Sequence, residues 1–323
     1  EPNGGLWAPD IHFINGKYVL YYSMSRWGGE TTCGIGVATA DLPQGPFTDR
    51  GKLFRSNEIG VQNSIDPFYI EDDGKKYLFW GSFRGIYYVE LSDDGLSLKN
   101  PADPQPQQIA GTYFEGVYIH RHGDYYYLFA SIGSCCDGLK STYSLVVGRS
   151  TALTGPYTDR QGRSMMSNGY SVVVDKNSRF VGNGHCSGIV QDDAGSEWIL
   201  FHGWDVNNSG NGRVLLLNEI KRDRYGWPTV DSTSPAITAA APVFGASGLD
   251  VPGYEPFRIS VDGGSVSVDS ALPATVKVYT IGGLLIGQAE DVTHCRFPLL
   301  AGSYVVRVET ANGAFARKVI INQ

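Results

Sequence analysis

Four copies of one β-hairpin pattern recur along this chain. Each copy is an apolar run, a turn that contains glycine and an aromatic-rich run, and the turn glycines are Gly16, Gly74, Gly123 and Gly195. Such a pair of runs around a short glycine turn is typical of two antiparallel strands. Because several strands that repeat every ~40–50 residues are typical of propeller blades, the pattern predicts a β-propeller whose blades carry additional loops.

A second repeated segment supports this interpretation. The connector DLPQGPFTDRG at residues 41–51 returns as ALTGPYTDRQG at residues 152–162, with the pattern Gly-Pro-aromatic-Thr-Asp-Arg in both. Two copies of a connector between copies of a hairpin indicate internal repetition. The sequence therefore predicts an all-β fold in which residues 1–235 form about four visible blades.

The character of the chain changes near residue 231. A stretch of small apolar residues with proline and glycine follows, which predicts a linker over residues 236–251. Short alternating runs then fill residues 252–323. They predict a separate small β-sandwich.

Composition excludes several classes of partner. The chain has 323 residues, a net charge of −7 and no basic stripe, so nucleic acid is not an expected partner. No apolar run approaches the ~20 residues that span a bilayer. With 41 glycines, 19 tyrosines and 18% charged residues, the composition fits a turn-rich β protein.

The five cysteines show no zinc-finger spacing, and an odd count leaves at least one of them unpaired. Cys135 and Cys136 are adjacent in sequence. A disulfide between neighbouring residues is strained. The expectation is therefore two small buried residues in a loop.

One chemically capable side chain lies just before each hairpin: Asp10, Asp66, Glu115 and His185. In a propeller the first strand of each blade lines the central channel, so these side chains should converge. Two carboxylates in a cleft rimmed by aromatic residues are the arrangement expected for cleavage of a glycosidic bond. Burial beside Phe114 could keep Glu115 protonated near neutral pH.

Each of these residues also has a purely structural interpretation. An isolated glutamate at the end of a strand is usually solvated, Asp66 before Pro67 forms a common turn, and Asp10 could cap the turn that follows it. A single histidine such as His185 is usually a satisfied polar residue, although it could bind a metal directly or through water. The recurrence of an acid at the same place in three units favours the functional interpretation.

These segments together resemble glycoside hydrolase family 43, in its arabinan-degrading branch. The resemblance spans residues 1 to about 235, and its most specific part is SCCDGLKSTY at residues 134–143. The other matching segments, in the order of the family, are LWAPDIHFINGKYVLYYS, NSIDPFYI, FEGVYIHRHGDYYYLFAS, GNGHCSG and GRVLLLNEIKRDRYGWP.

The resemblance implies a five-bladed propeller that hydrolyses α-L-arabinofuranosyl or β-xylosyl bonds with inversion. By this resemblance Glu115 is the general acid, and Asp66 is the carboxylate that raises the pKa of that acid and orients it. His185 resembles a histidine that holds calcium, often through waters. The residues that resemble sugar contacts are Trp7, Asp10, Asn63, Ser64, Ser82, Phe83 and Arg84.

One departure from the family pattern bears on activity. In the family the general base is an aspartate of the first blade, upstream of the WAPD segment that contains Asp10. Four hairpins are visible where five are expected, so we expect the chain to lack its first blade and its base. Such a chain should hydrolyse its substrate poorly or not at all.

The C-terminal segment resembles the sorting domain of the bacterial type IX secretion system, on the residues VKVYTIGGLLIG and GSYVVRVETANGAFARKVIINQ. This resemblance implies export to the cell surface or the medium of a Bacteroidota-like organism. The alternative is an accessory β module with no sorting role.

Three functions follow as hypotheses. The first is an inverting hydrolase of arabinan, endo-acting on α-1,5 bonds. The second is a surface protein that binds arabinan but has lost the chemistry. The third is a family 43 β-xylosidase or α-L-arabinofuranosidase, for which an arabinoxylan-type polysaccharide would be the partner.

Overall fold

The computed structural model describes residues 4–244, 257–310 and 313–321, and β-strands dominate all three ranges. The chain divides into two compact units, Glu1–Val243 and Phe244–Gln323. The all-β prediction is confirmed. Among the described residues, no helix is long and apolar enough to cross a membrane.

The first unit is built from antiparallel sheets of consecutive strands. The first sheet contains β1 (Gly5–Ile14), β2 (Lys17–Ser25), β3 (Gly34–Ala40) and β4 (Thr48–Arg55), and a one-turn helix α1 (Ser56–Ile59) follows it. The second sheet contains β5 (Phe68–Asp72), β6 (Lys75–Trp80), β7 (Ile86–Glu90) and β8 (Gln107–Ala110).

The third sheet contains β9 (Glu115–His122), β10 (Tyr125–Ile132), β11 (Ser144–Ser150) and β12 (Ser171–Val174). The fourth contains β13 (Phe180–Gln191), β14 (Glu197–Asp205) and β15 (Arg213–Glu219), and the short pair β16 (Lys221–Arg222) and β17 (Pro228–Thr229) follows.

All four predicted hairpins are confirmed, as β1–β2, β5–β6, β9–β10 and β13–β14. The turn of the first hairpin shows why the sequence signal worked. Asn15 and Gly16 both have positive φ, at 49° and 83°, and a two-residue turn of this type matches the twist of the strands that it joins. Asparagine and glycine are the residues that adopt this conformation most readily.

The first strands of successive sheets lie side by side. Strand β1 contacts β5, β5 contacts β9, and β9 contacts β13. This arrangement brings residues that are far apart in sequence to one inner region of the unit. The repeated connectors also occupy equivalent places, since each follows the third strand of its sheet.

The hydrophobic core of the first unit lies between neighbouring sheets. Tyr21, Phe54, Leu78 and Trp80 pack together between the first and second sheets. Equivalent clusters fill the space between the second and third sheets and between the third and fourth. Each sheet therefore depends on its neighbours to cover its apolar faces.

The second unit has its own core and one five-stranded antiparallel sheet. Its strands are β18 (Phe257–Asp262), β19 (Ser265–Thr280), β20 (Leu285–Pro298), β21 (Gly302–Thr310) and β22 (Gly313–Ile321). An irregularity between Asp269 and Ala274 divides β19, so β18 pairs with its first half and β21 with its second.

The predicted sandwich and blade count remain predictions. Residues 245–251 of the predicted linker over residues 236–251 lie outside the described residues. Residues 252–256 of the predicted sandwich also lie outside them. Residue Val243 belongs to the first unit, and its backbone N–H donates a 3.0 Å hydrogen bond to Asp192 Oδ2.

Candidate active site

Two buried carboxyl groups form the centre of the site. Asp66 precedes β5 of the second sheet, and Glu115 begins β9 of the third sheet. Their exposed fractions are 6% and 9%. The contact between β5 and β9 brings together two acids that are 49 residues apart in the chain.

Asp66 is fixed by its backbone and its neighbours. It has a left-handed φ of 61°, which aspartate tolerates better than most residues. Its backbone N–H donates to Ser23 Oγ of the first sheet at 2.9 Å. Burial raises the pKa of the Asp66 carboxyl to about 7, although the backbone N–H of Gly116 donates to the carboxyl and opposes that rise.

Glu115 is held by the second sheet. The Ser82 hydroxyl donates a 2.7 Å hydrogen bond to Glu115 Oε2. Burial raises the pKa of the Glu115 carboxyl, and the negative charge of Asp66 raises it further. Both buried carboxyls therefore hold their protons to higher pH than free carboxyls do.

Tyr143 and His185 complete the surroundings of Glu115. Tyr143 immediately precedes β11, and its buried hydroxyl lies close enough to Glu115 to interact with it but forms no hydrogen bond of normal geometry with a described residue. His185, in β13, anchors itself through a 2.7 Å hydrogen bond from its backbone N–H to Ser131 Oγ. Burial lowers the pKa of the His185 imidazole, which keeps the ring uncharged although Glu115 opposes the shift.

Gly116 is required where the two acids and His185 meet. Its φ is +63°, and a Cβ at this position would lie 3.1 Å from the His185 ring. The same residue donates its backbone N–H to Asp66. A side chain here would therefore strain the backbone and displace the ring at once.

Gly116→Ala is expected to lower the free energy of unfolding by about 1–3 kcal/mol and to reduce hydrolytic activity. Gly123→Ala is the matched control, because Gly123 has a similar φ of +59° in the turn after β9, but a Cβ added there would meet no described atom within 4 Å. Chemical denaturation and a hydrolysis assay on both variants test the prediction. Equal losses of activity in the two variants would contradict it.

The residues that resemble sugar contacts lie in different environments. Asn63 donates to the Ser82 carbonyl oxygen at 2.9 Å, and Phe83 is half-buried with a φ of 52°. Arg84 is exposed and forms a two-point ion pair with Glu30. This group borders the Ser82–Glu115 contact, as a substrate-binding edge would.

Trp7 and Asp10 lie on β1. The Trp7 ring packs against Trp27 with centroids 6.5 Å apart, and Trp27 is 82% exposed. Asp10 Oδ2 accepts a 2.6 Å hydrogen bond from the backbone N–H of Tyr69 and lies 2.9 Å from His12 Nε2. Asp10 thus joins the first two sheets, while the aromatic pair offers a surface on which a sugar ring could stack.

Ser64 has no exposed surface. Its hydroxyl accepts from Trp80 Nε1 at 3.0 Å and donates to the Val61 carbonyl oxygen at 2.8 Å. These contacts are structural. A sugar contact through this hydroxyl stays a prediction.

The expectation for the adjacent cysteines is wrong. Cys135 and Cys136 form a disulfide, and Cys136 is exposed. The loop holds this pair through its backbone, since the Cys135 carbonyl oxygen accepts from Trp204 Nε1 at 2.9 Å and from Ser141 Oγ at 3.1 Å. Cys33, Cys186 and Cys295 are free thiols.

Several residues near the acids were not identified from sequence: Ser23, Gly116, Ser131, Tyr143 and His202. His202 lies in β14, stacks on Tyr143 with centroids 5.8 Å apart, and accepts a 3.1 Å hydrogen bond from Arg213. Burial lowers its pKa to about 3, helped by the charge of Arg213. The specific run SCCDGLKSTY contained Tyr143, but nothing in its pattern indicated which of its residues faces the acids.

Comparison with known proteins identifies the family of the chain. The profile of "Glycosyl hydrolases family 43" matches residues 1–228. The chain is 38% identical over 251 residues to the extracellular exo-α-(1→5)-L-arabinofuranosidase ArbA of Cellvibrio japonicus, with 71% of each chain covered. It is 36% identical over 237 residues to the extracellular endo-α-(1→5)-L-arabinanase 1 of Bacillus subtilis, with 71% of this chain and 70% of the relative covered.

Among solved structures, the α-L-arabinanase of Cellvibrio cellulosa complexed with arabinohexaose superimposes with a TM-score of 0.64 at 36% identity. The match covers 70% of this chain and 77% of that structure. Arabinanase structures of this kind are β-propellers, which agrees with the predicted architecture of the first unit. The chain therefore belongs to glycoside hydrolase family 43 and is a glycosidase.

Proposed function

We propose that this protein hydrolyses α-1,5-linked L-arabinofuranosyl bonds of arabinan with inversion. The observation that carries the proposal is the buried Glu115 carboxyl, hydrogen-bonded to Ser82 and next to Asp66. A carboxyl with a raised pKa holds its proton to higher pH than a free carboxyl does and can protonate a leaving sugar oxygen. The names of two relatives, an exo-arabinofuranosidase and an endo-arabinanase, support the α-1,5 linkage.

Asp66 would act through Glu115. Its carboxyl is buried and fixed by the Gly116 N–H, and its negative charge raises the pKa of Glu115. Its proposed role is therefore to keep Glu115 protonated and correctly oriented.

The general base is proposed to be an aspartate upstream of this chain. Among the described residues, Asp66 is the carboxylate that acts electrostatically on Glu115. The Asp10 carboxylate is engaged with Tyr69 and His12 instead. An inverting enzyme needs a base that lies ~6.5–9.5 Å from the acid, with room for a water molecule.

Hydrolysis of linear α-1,5-arabinan tests the proposal. This chain and a form extended upstream in its own gene would be assayed side by side, and the anomer released first would be identified by proton NMR. Activity in the extended form alone, with release of the β-anomer, would support both the reaction and the position of the base. Release of the α-anomer would refute inversion.

Other outcomes would select other functions. Full activity in the chain as given would mean that a carboxylate within it serves as base, with Asp10 tested first. Tight binding of arabinan without hydrolysis in either form would favour an arabinan-binding surface protein, for which the exposed Trp27 and the half-buried Trp7 beside it would be the contact surface. Preferential hydrolysis of β-xylosides or single arabinofuranosyl branches would indicate the corresponding family 43 activity.

Calcium is proposed to bind at His185. The buried, uncharged imidazole of His185 can accept a hydrogen bond from a water molecule bound to a metal ion. Calcium prefers six to eight oxygen ligands, so His185 would hold it through water molecules, which supply the oxygen ligands. The ion would add positive charge near Glu115, and the roles assigned to Glu115 and Asp66 do not depend on it.

The protein is also proposed to be exported. Two relatives are named as extracellular enzymes, and arabinan is an extracellular polysaccharide. The second unit, a five-stranded sheet with its own core, is proposed to direct type IX export to the cell surface or the medium. Loss of secretion after deletion of residues 244–323, with no loss of expression, would test this role.

A further inference from the structure

Two histidines and a glutamate converge at the end of β9 that is remote from the acids. His120 and His122 are two residues apart on the strand, so their side chains leave the same face. Glu197 begins β14 of the neighbouring fourth sheet. With a rise of ~3.3 Å per residue, His120 lies about 17 Å along the strand from Glu115, so the cluster is separate from the active site.

The possible ligand atoms of the three side chains lie close together. His120 Nε2 lies 2.7 Å and His122 Nδ1 lies 3.0 Å from Glu197 Oε1. All three atoms are within 4.8 Å of one another. Among the described residues, this is the one group of three histidine, cysteine or acidic side chains with such spacing.

Arg222 fixes the carboxylate from behind. Its Nε and Nη2 donate to Glu197 Oε2 at 2.9 and 2.6 Å, which leaves Oε1 directed at the two imidazoles. A ligating carboxylate that is itself hydrogen-bonded is the usual outer shell of a protein metal site. The arginine therefore holds the glutamate in one orientation.

Solvent can reach the cluster. The side chains of His120, His122 and Glu197 are 22%, 45% and 13% exposed. An ion could enter from this side, and water could occupy a remaining coordination position. Metal–ligand distances of ~2.0–2.2 Å require the ligand atoms to separate by a few tenths of an ångström, which the exposed His122 side chain can provide.

We infer that His120, His122 and Glu197 form a zinc-binding site that links the third and fourth sheets. Two imidazoles and one carboxylate are a ligand set that suits zinc, and imidazole nitrogens make it a poor site for calcium. The inferred role is stabilisation of the boundary between two sheets. The site does not depend on the proposed reaction, because it contains none of the residues assigned to it.

Zinc titration of the whole chain tests the inference. After treatment with a chelator and dialysis, calorimetry with zinc chloride should give one site per chain with a Kd on the order of 1 µM or tighter. At a zinc concentration 100 times Kd, the first unit should melt about 5–10 °C higher. Cobalt should bind at the same site and give the visible absorption bands of a tetrahedral ion.

Variants distinguish this site from any other. His122→Ala should weaken zinc binding by at least about 100-fold and should preserve the fold, because this side chain is the most exposed of the three. Glu197→Gln should also weaken zinc binding, because it removes the ligating carboxylate while the side chain keeps its shape. His294→Ala is the matched control, since His294 is also paired with a carboxylate, Asp269, but lies in the second unit.

The zinc titrations of the variants have two informative outcomes. Loss of binding in both site variants and normal binding in the control would support the site. Zinc binding that is unchanged in His122→Ala, or no binding at 100 times the expected Kd, would overturn the inference. The cluster would then be a hydrogen-bonded contact between two sheets.

Discussion

Replacing Glu115 by glutamine is expected to lower kcat for linear α-1,5-arabinan by about 10²–10⁴-fold, in whichever form of the protein hydrolyses it. Glutamine preserves the shape of the side chain and can accept the Ser82 hydrogen bond, but it has no acidic proton to give to the leaving oxygen. The alkaline limb of the pH–rate profile, which reports loss of that proton, should disappear in the variant.

The leaving group provides the sharper test. An aryl arabinofuranoside whose leaving group departs without protonation should be hydrolysed by Glu115→Gln nearly as well as by the parent protein. Glu90→Gln is the matched control, because Glu90 is a carboxylate of the second sheet that pairs with Lys99 and not with the site. A loss of less than tenfold on arabinan, or an equal loss on both substrates, would show that Glu115 is not the general acid.

Replacing Asp66 by asparagine is expected to reduce activity and to increase stability at neutral and alkaline pH. The activity should fall, but by less than the ~10²–10⁴-fold expected for loss of the general acid itself, because Asp66 no longer raises the pKa of Glu115. The alkaline limb of the pH–rate profile should move to lower pH. Asparagine tolerates the left-handed φ of 61° and can still accept the Gly116 N–H, so the local backbone should be preserved.

The stability effect follows from the direction of the pKa shift. Burial raises the pKa of Asp66 from 3.8 to about 7, so between these values the native state binds more protons than the unfolded state. The stabilisation that this bound proton gives the parent protein is fully present below pH 3.8 and is lost as pH rises through 7. The asparagine side chain of the variant cannot ionise and avoids that loss.

The difference between the two proteins should therefore grow with pH. It should be small near pH 4 and reach on the order of 4 kcal/mol at pH 8, since one pKa unit corresponds to about 1.4 kcal/mol. Urea denaturation of both proteins at pH 4, 6 and 8 measures it, in the range where unfolding is reversible. A difference that is constant with pH would mean that the Asp66 carboxyl titrates normally.

The hairpins and the positions of the two acids could be predicted from the sequence because their signals are local. A turn such as Asn15-Gly16 needs residues that tolerate positive φ, and the strands on either side need alternating apolar residues. Repetition then placed Asp66 just before one inner strand and Glu115 at the start of the neighbouring inner strand. No longer-range information was needed for these conclusions.

The remaining features depend on contacts between sheets. The sequence could not show that Ser82 bonds to Glu115, that Tyr143 and Gly116 border it, or that Ser64 is buried beneath Trp80. The disulfide between Cys135 and Cys136 also went against the local expectation. The Cys135 carbonyl oxygen accepts from the Trp204 side chain, which is distant along the chain, and from the Ser141 side chain across the loop. These contacts hold the segment in place.

The sequence by itself thus determined the strands, their turns, the order of the repeats and the kind of chemistry that the chain could carry. The tertiary structure decided which side chains meet. A strand pattern of period two assigns each residue to a face of its sheet, but it does not say which residue of the neighbouring sheet faces it. For this physical reason the pairing of Glu197 with His120 and His122, across the boundary between two sheets, became visible only in the folded chain.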